Sequence, residues 1–311
     1  MIGSGGEPRY AMNRFRADLL LLFAAGVWGL AFYFQKSAMS HVGPFLFIAA
    51  RASVAALALA PLALLELRRR GGETEHPVFD RPGLVRLGVM GGVFFFLGAA
   101  FQQAGLQTAT VTNAGFLTGL YVVITPLIMW ITARRAPGSV VWTAVVMAFA
   151  GIWALGGGTV TGFSHGDILI AICAIFWSIH IVVTGRSPHF GVPMTYTCVQ
   201  FATVAAIAAI AALLFEPISA EALAKASGAI LYVGVLSSAL TFTLLAIALK
   251  HTPASEAAVL VSMETLFAAL AGAVLLGERL PLIGLFGAAL LFAASLLVQL
   301  APRPKGIGDA A

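Results

Sequence analysis

Apolar residues run along this chain in long blocks that are broken only briefly by Gly, Pro, Arg or a polar pair. A nearly continuous apolar run of about 18 or more residues matches a helix that crosses a bilayer, not a soluble strand or amphipathic helix. Ten such runs are predicted: 17–38, 44–65, 84–107, 111–132, 139–156, 166–184, 194–215, 227–249, 254–276 and 282–301. Most connections between them are short, so neighbouring helices should run antiparallel, and only 68–86 forms a sizeable hydrophilic link. The expected fold is an all-α polytopic membrane protein with ten transmembrane helices.

Composition agrees with this pattern. The 311 residues are 60% hydrophobic and 10% charged, with mean hydropathy +0.96, against about 45–50% apolar and about 25% charged in soluble domains. A soluble enzyme, a secreted disulfide scaffold and a disordered tail are all excluded. Net charge +5 and pI near 9.6 would suit nucleic acid, but the charges sit at the ends of apolar runs, where they set orientation. With ten spans, Arg9, Arg14, Arg16, Arg68, Arg69, Arg70, Arg81, Arg86, Arg134, Arg135, Arg186, Lys250, Arg303 and Lys305 share one side. Only Lys36, Lys225 and Arg279 lie on the other, a count of 14 against 3. Positive residues mark the cytoplasmic face, so both termini are expected inside a bacterial-type inner (plasma) membrane, with tails at 1–16 and 302–311. Residues 1–13 lack the apolar core of a cleavable signal peptide. Cys173 and Cys198 both lie within apolar runs, which argues against a structural disulfide.

The two halves, 17–157 and 166–301, resemble each other. At an offset of 149, Trp28 aligns with Trp177, Ala25 with Ala174, Pro44 with Pro193 and Arg51 with Gln200. At an offset of 143, Ala114 aligns with Ala257, Leu117 with Leu260, Leu127 with Leu270 and Phe149 with Phe292. The Trp and Pro pairs weigh most, because Ala and Leu matches are cheap in this composition. A unit of five helices is odd, so its second copy must enter the membrane from the opposite face. Such inverted repeats recur in secondary transporters, with the solute site near the midplane between the halves.

Several motifs point further: Trp28-Gly29 and Lys36 in the first span, Pro44 and Arg51 in the second, and the segment Asn113-Ala114-Gly115-Phe116-Leu117-Thr118-Gly119-Leu120-Tyr121 leading to Thr125-Pro126 in the fourth. In the ninth, Met263-Glu264-Thr265 precedes Leu276-Gly277-Glu278. In these features the chain resembles the drug/metabolite transporter superfamily, in its ten-helix EamA branch, over about 17–301. It departs from the pattern at Thr265, where proline is frequent, and at 132–135, where the first half lacks the Gly-Glu ending. The resemblance implies a carrier similar to bacterial exporters of amino acids and related metabolites, working by alternating access. A multidrug or a nucleoside- or sugar-type carrier is the alternative.

Candidate site residues follow from depth and helical spacing. Trp28 lies about 17 Å from the start of its span, and Trp177 at a similar depth from the opposite face, too deep for an interfacial anchor. Both fit either a cavity wall that stacks on solute or helix–helix packing. Phe32 and Gln35 share the Trp28 face. Phe95 and Gln102 form a stripe in the third span, Asn113 and Tyr121 are polar members of the fourth, and His180 shares the Trp177 face. Ser237 and Thr241 belong to a hydroxyl cluster in the eighth span, although many such hydroxyls only bond their own helix. Arg51 and Glu264 are charged groups within spans, expected to serve in gating, in an ion pair or, for Glu264, in carrying a proton; Glu264 should face the interior. Glu256 reads as a first-turn carboxylate and Glu278 as part of a turn.

Other classes lack their signatures. There is no His-Glu-x-x-His, no Gly-x-Ser-x-Gly and no phosphate-binding Gly-rich loop, and no charge or carbonyl ring marks a channel filter. No enzyme activity, cofactor or metal is expected. The expected partners are a small-molecule substrate and membrane lipids, without nucleic acid, for a chain that can act as a monomer.

Overall fold

The computed structural model describes residues 13–71, 80–133, 137–155, 164–279 and 282–300. Most of both tails, Arg134, Arg135 and the link 156–163 lie outside the described residues. Among the described residues every regular element is helical: α1 (Arg14–Ala38), α2 (Pro44–Gly71), α3 (Arg81–Gly105), α4 (Val111–Thr118), α5 (Tyr121–Ala133), α6 (Ser139–Leu155) and α7 (His165–Thr184). After a 3-10 turn come α8 (Pro193–Phe215), α9 (Ala220–Lys225), α10 (Ser227–Leu231), a π-helical stretch Tyr232–Leu240, and α11 (Thr241–Ala248). The chain ends with α12 (Ala254–Val261), α13 (Glu264–Leu276) and α14 (Leu282–Leu300). Eight stretches are long and apolar enough to cross a membrane; the other two apolar helices, Ser139–Ala154 and Leu282–Val298, are shorter.

Polarity is inverted relative to a soluble protein. Ile131, Phe215 and Leu282 are 75%, 74% and 89% exposed, while Gln102, Gln103, Gln200 and Ser238 are buried. Such an apolar exterior suits lipid, where helices gain little hydrophobic drive from one another and associate through close packing and hydrogen bonds.

Two of the expected single spans are interrupted. The fourth breaks at Gly119-Leu120 and the ninth at Ser262-Met263, leaving segments of 8 and 13 residues in each case. Both breaks switch to the tighter i→i−3 pattern: Leu120 N–H to Leu117 O and Val122 N–H to Gly119 O in one, Met263 N–H to Leu260 O and Thr265 N–H to Ser262 O in the other. A mid-helix 3-10 turn of this kind often marks a hinge. Tyr121 and Glu264 are the first residues after the two breaks, so they occupy equivalent places. In the eighth span, the π-helical stretch widens the turn around Ser237.

The halves interlock by exchange. α2 packs on α8 and α6 on α14; α3 lies against α7 as α11 lies against α1, and α4 against α13 as α12 against α5. Glu66, near the end of α2, accepts from Met194 N–H (3.3 Å), Thr195 N–H (2.8 Å) and the Thr195 hydroxyl (2.7 Å) at the start of α8. Glu216, after α8, accepts from Phe45 and Leu46 N–H, both 2.8 Å, at the start of α2. Each carboxylate thus satisfies two amides that a helix start otherwise leaves bare, and sits at the positive end of the helix dipole. The two caps also require α2 and α8 to run antiparallel.

Glu278 is more than a turn residue. It accepts from Val111 and Thr112 N–H, both 2.9 Å, and from the Thr112 hydroxyl (2.6 Å), capping α4 from the other half. Gly277, at φ 68°, turns the chain to bring it there. Glu256 is likewise not a simple cap: Arg14 reaches its carboxylate at 2.7 Å, Asp18 at 3.6 Å and the Val298 carbonyl at 2.6 Å, while the Thr252 hydroxyl donates to Asp18 at 2.7 Å. This cluster ties α1, α12 and α14 together where the first half offers no counterpart to Glu278.

Hydrogen bonds to a charged group contribute about 1.5–3 kcal/mol each. Glu216→Ala and Glu66→Ala should therefore each lower the melting temperature of the purified protein in detergent, while Glu221→Ala, in an exposed pair with Lys225, should leave it unchanged. Equal melting of all three variants would show that the caps carry no stability.

Candidate functional site

The interrupted helices, the π-helical stretch and helices α1, α2, α3, α7 and α11 line a central cavity. Its lining comes from both halves: Trp28, Phe32, Gln35, Arg51, Phe95, Gln102, Thr118 and Tyr121 from the first, Trp177, His180, Ile181, Ser237, Phe242, Leu245, Val261 and Glu264 from the second.

An aromatic cluster forms one wall. Phe242 lies 4.7 Å from Trp28 and 4.9 Å from Phe95 between ring centroids, and Phe95 meets Trp177 edge-on at 4.9 Å. The Trp28 indole donates to the Ser237 carbonyl at 2.9 Å, and that carbonyl also accepts from the Thr241 hydroxyl at 2.6 Å. A carbonyl with two donors inside a widened turn fixes the ring against the cavity. His180 is held by Gln200 (2.9 Å) and Thr184 (3.3 Å), and Thr184 continues to Tyr196 (3.0 Å), so the histidine edge of the wall is braced from behind. Gln102 donates to Thr118 at 3.1 Å, whereas its neighbour Gln103 turns away and donates to the Gln35 carbonyl at 3.1 Å.

The charged lining residues are buried, Arg51 to 4% exposure and Glu264 to 5%. The carboxylate therefore faces the interior. Arg51 Nε and Nη2 and Glu264 Oε1 make no hydrogen bond, and no ion pair joins the two side chains among the described residues. The ion pair entertained for Arg51 is thus absent here. Its guanidinium instead lies 5.6 Å from the Phe95 ring centroid and 5.8 Å from that of Phe47, within cation–π range.

The cavity brings together eleven of the thirteen residues singled out in the sequence. Asn113 and Thr241 lie apart from it. Asn113 sits at the start of α4 and donates to Asp167 at 3.2 Å, and Thr241 spends its hydroxyl on its own helix. Phe242, Thr118, Ile181, Leu245 and Val261 line the cavity but were not anticipated. Phe242 directly follows Thr241 in the eighth span, and among 22 phenylalanines nothing in the pattern distinguishes it.

Comparison with known proteins agrees with this architecture. The sequence model of the EamA-like transporter family matches residues 15–157 and again 164–300. The chain belongs to the EamA-like transporter family. An uncharacterized transporter of Archaeoglobus fulgidus is 29% identical over 289 residues, covering 93% of this chain and 87% of the relative. The threonine/homoserine exporter RhtA of Escherichia coli K12 is 36% identical over 192 residues, 58% of this chain and 61% of that protein. A protein of known crystal structure shares the fold at TM-score 0.68 and 20% identity, over 90% of this chain and 95% of the other.

In this EamA-like transporter the Trp28-Gly29 motif has a packing reason. A Cβ on Gly29 would stand 2.3 Å from Phe267 Cβ and 2.8 Å from both the Ala268 nitrogen and the Glu264 carbonyl, so only glycine lets α1 lie on α13 beside the cavity. Lys36, at the other end of α1, donates to the Leu106 (2.8 Å) and Ala109 (2.9 Å) carbonyls where α3 turns toward α4. Gly29→Ala should sharply reduce folded yield or melting temperature. Gly26→Ala, one turn earlier and 3.8 Å from the Phe267 ring, should be tolerated, and equal behaviour of the two would contradict close packing at Gly29.

Proposed function

We propose that this transporter is a secondary carrier that moves small amphipathic metabolites, amino acids foremost, out of the cell across a bacterial-type inner membrane by alternating access. The observation that carries this reading is the shared cavity: both repeat-equivalent tryptophans and both post-break residues, Tyr121 and Glu264, converge on it from opposite halves. A site built at the seam of two halves is reshaped whenever one half rocks against the other. The reading includes ten spans, with Ser139–Leu155 and Leu282–Leu300 counted among them, two inverted five-helix repeats and both termini cytoplasmic. The antiparallel α2–α8 pair with its reciprocal caps supports the inversion, because α2 and α8 are equivalent members of the two halves. The likeness to RhtA, named as a threonine/homoserine exporter, supports amino acids as solutes.

In proteoliposomes loaded with unlabelled amino acids, labelled L-threonine, L-leucine or L-phenylalanine should show saturable uptake by counterflow. Trp28→Ala and Trp177→Ala should each reduce it by about tenfold or more, without loss of folded protein. Movement of nucleosides or sugars but of no amino acid would overturn the substrate assignment, and non-saturable flux would mean a pore. Reporter fusions after Arg70 and Arg135 should both read cytoplasmic; a periplasmic reading at either would break the topology.

A further inference from the structure

Apart from Glu264, the carboxylates described above are engaged by structural partners. Glu66, Glu216 and Glu278 cap helix starts, Asp167 receives Asn113, and Asp18 and Glu256 share Arg14. Arg51 is different. It is 4% exposed, carries two unpartnered nitrogens and lines the central cavity. Its place in the second half is taken by Gln200, a neutral side chain already bonded to His180. The cavity therefore has one cationic wall, on α2, with no counterpart by repeat symmetry.

We propose that Arg51 is the anchor for the carboxylate of the transported solute. This deepens the amino-acid reading and rests on it. A guanidinium offers a planar fork of donors that matches a carboxylate in two parallel hydrogen bonds. The Phe47 and Phe95 rings, at 5.8 and 5.6 Å, hold the cation in place while the anion is absent, at lower cost than an uncompensated charge in a plain apolar wall. Gln102 and Thr118, in the same lining, are bonded to each other and need no solute. Glu264, on the α13 wall of the same cavity, adds a constraint on the remainder of the solute. Its carboxyl group gives the far end of the solute a hydrogen-bonding partner, so the site suits a carboxylate borne by a molecule with a polar group at its other end. An analogue without its carboxylate leaves buried donors unpaired, and sites of this kind reject such analogues strongly.

The test uses purified full-length protein in proteoliposomes, with labelled L-threonine, L-leucine and L-phenylalanine competed by the free amino acids, their methyl esters, the corresponding amino alcohols and inorganic phosphate. In wild type the acid should compete at least about tenfold better than its ester or amino alcohol, and phosphate should not compete. Arg51→Gln should raise KM for the acid and abolish the preference over the ester, with the melting temperature recording that it folds. Where the glutamine variant is too unstable, Arg51→Lys decides: it keeps the charge but loses the fork, so the acid-to-ester preference should shrink while KM for the ester holds. A folded Arg51→Gln with the wild-type preference, an unchanged preference in Arg51→Lys, or a wild type that accepts ester and acid alike would overturn the anchor and leave the carrier intact. Competition by phosphate as strong as that of the acid would replace the carboxylate with a phosphate ligand. Absence of any amino-acid transport in wild type would overturn the carrier reading and the anchor together.

Discussion

A helix that begins inside a membrane protein exposes amides that no water will satisfy, and each must find an acceptor within the protein. Here that requirement is met across the two halves. Glu66 serves the start of α8, Glu216 the start of α2 and Glu278 the start of α4, each from a helix in the opposite half. The same six amide hydrogen bonds that complete local helices therefore fix how the halves meet. Small residues do the rest: Gly29 lets α1 lie on α13, and a Cβ on Gly115 would stand 2.6 Å from the Ala268 side chain, so glycine there lets α4 approach α13.

With the ends pinned, departures from ideal helix fall in the middle. The 3-10 breaks of α4–α5 and α12–α13 and the π-helical stretch before α11 all border the cavity. Local irregularity of this kind is tolerated at membrane depth only where it is buried in protein or lines a cavity. Arg51, Glu264, Gln35, Tyr121, Trp177 and His180, which line the same cavity, each carry a polar atom without a hydrogen-bond partner. Pinned ends with an adaptable, under-satisfied centre are what a protein needs to bind a solute between two halves and then reorient them.

Much of this was legible in the sequence, for physical reasons. Long apolar runs marked the helices because a bilayer fixes their length, and eight of them are long enough to cross it. The pairs Trp28–Trp177 and Pro44–Pro193 pointed to two similar halves, since those residues are scarce enough for a match to mean something. Depth along the helix brought Trp28, Trp177, Arg51 and Glu264 to the cavity. The breaks at Gly119-Leu120 and Ser262-Met263 were hidden: neither carries a proline, and Pro126 lies seven residues past Gly119 inside α5. Asn113 and Thr241 were misplaced because polarity alone does not tell a solute contact from a cap or a back-bonded hydroxyl. Glu278 was read locally, whereas its partners, Val111 and Thr112, lie more than 160 residues away.

The central claim is that one cavity is reached from both sides of the membrane in turn. Ser237 lines it and is 3% exposed, and Cys173 and Cys198 are free thiols that can be replaced to give a background without cysteine. The direct measurement is labelling of Ser237→Cys in that background with a membrane-impermeant thiol reagent, in right-side-out and inside-out vesicles. Labelling from both faces, slowed by transported amino acid, is the predicted result. Labelling from one face only, unaffected by amino acid, would contradict alternating access to this cavity.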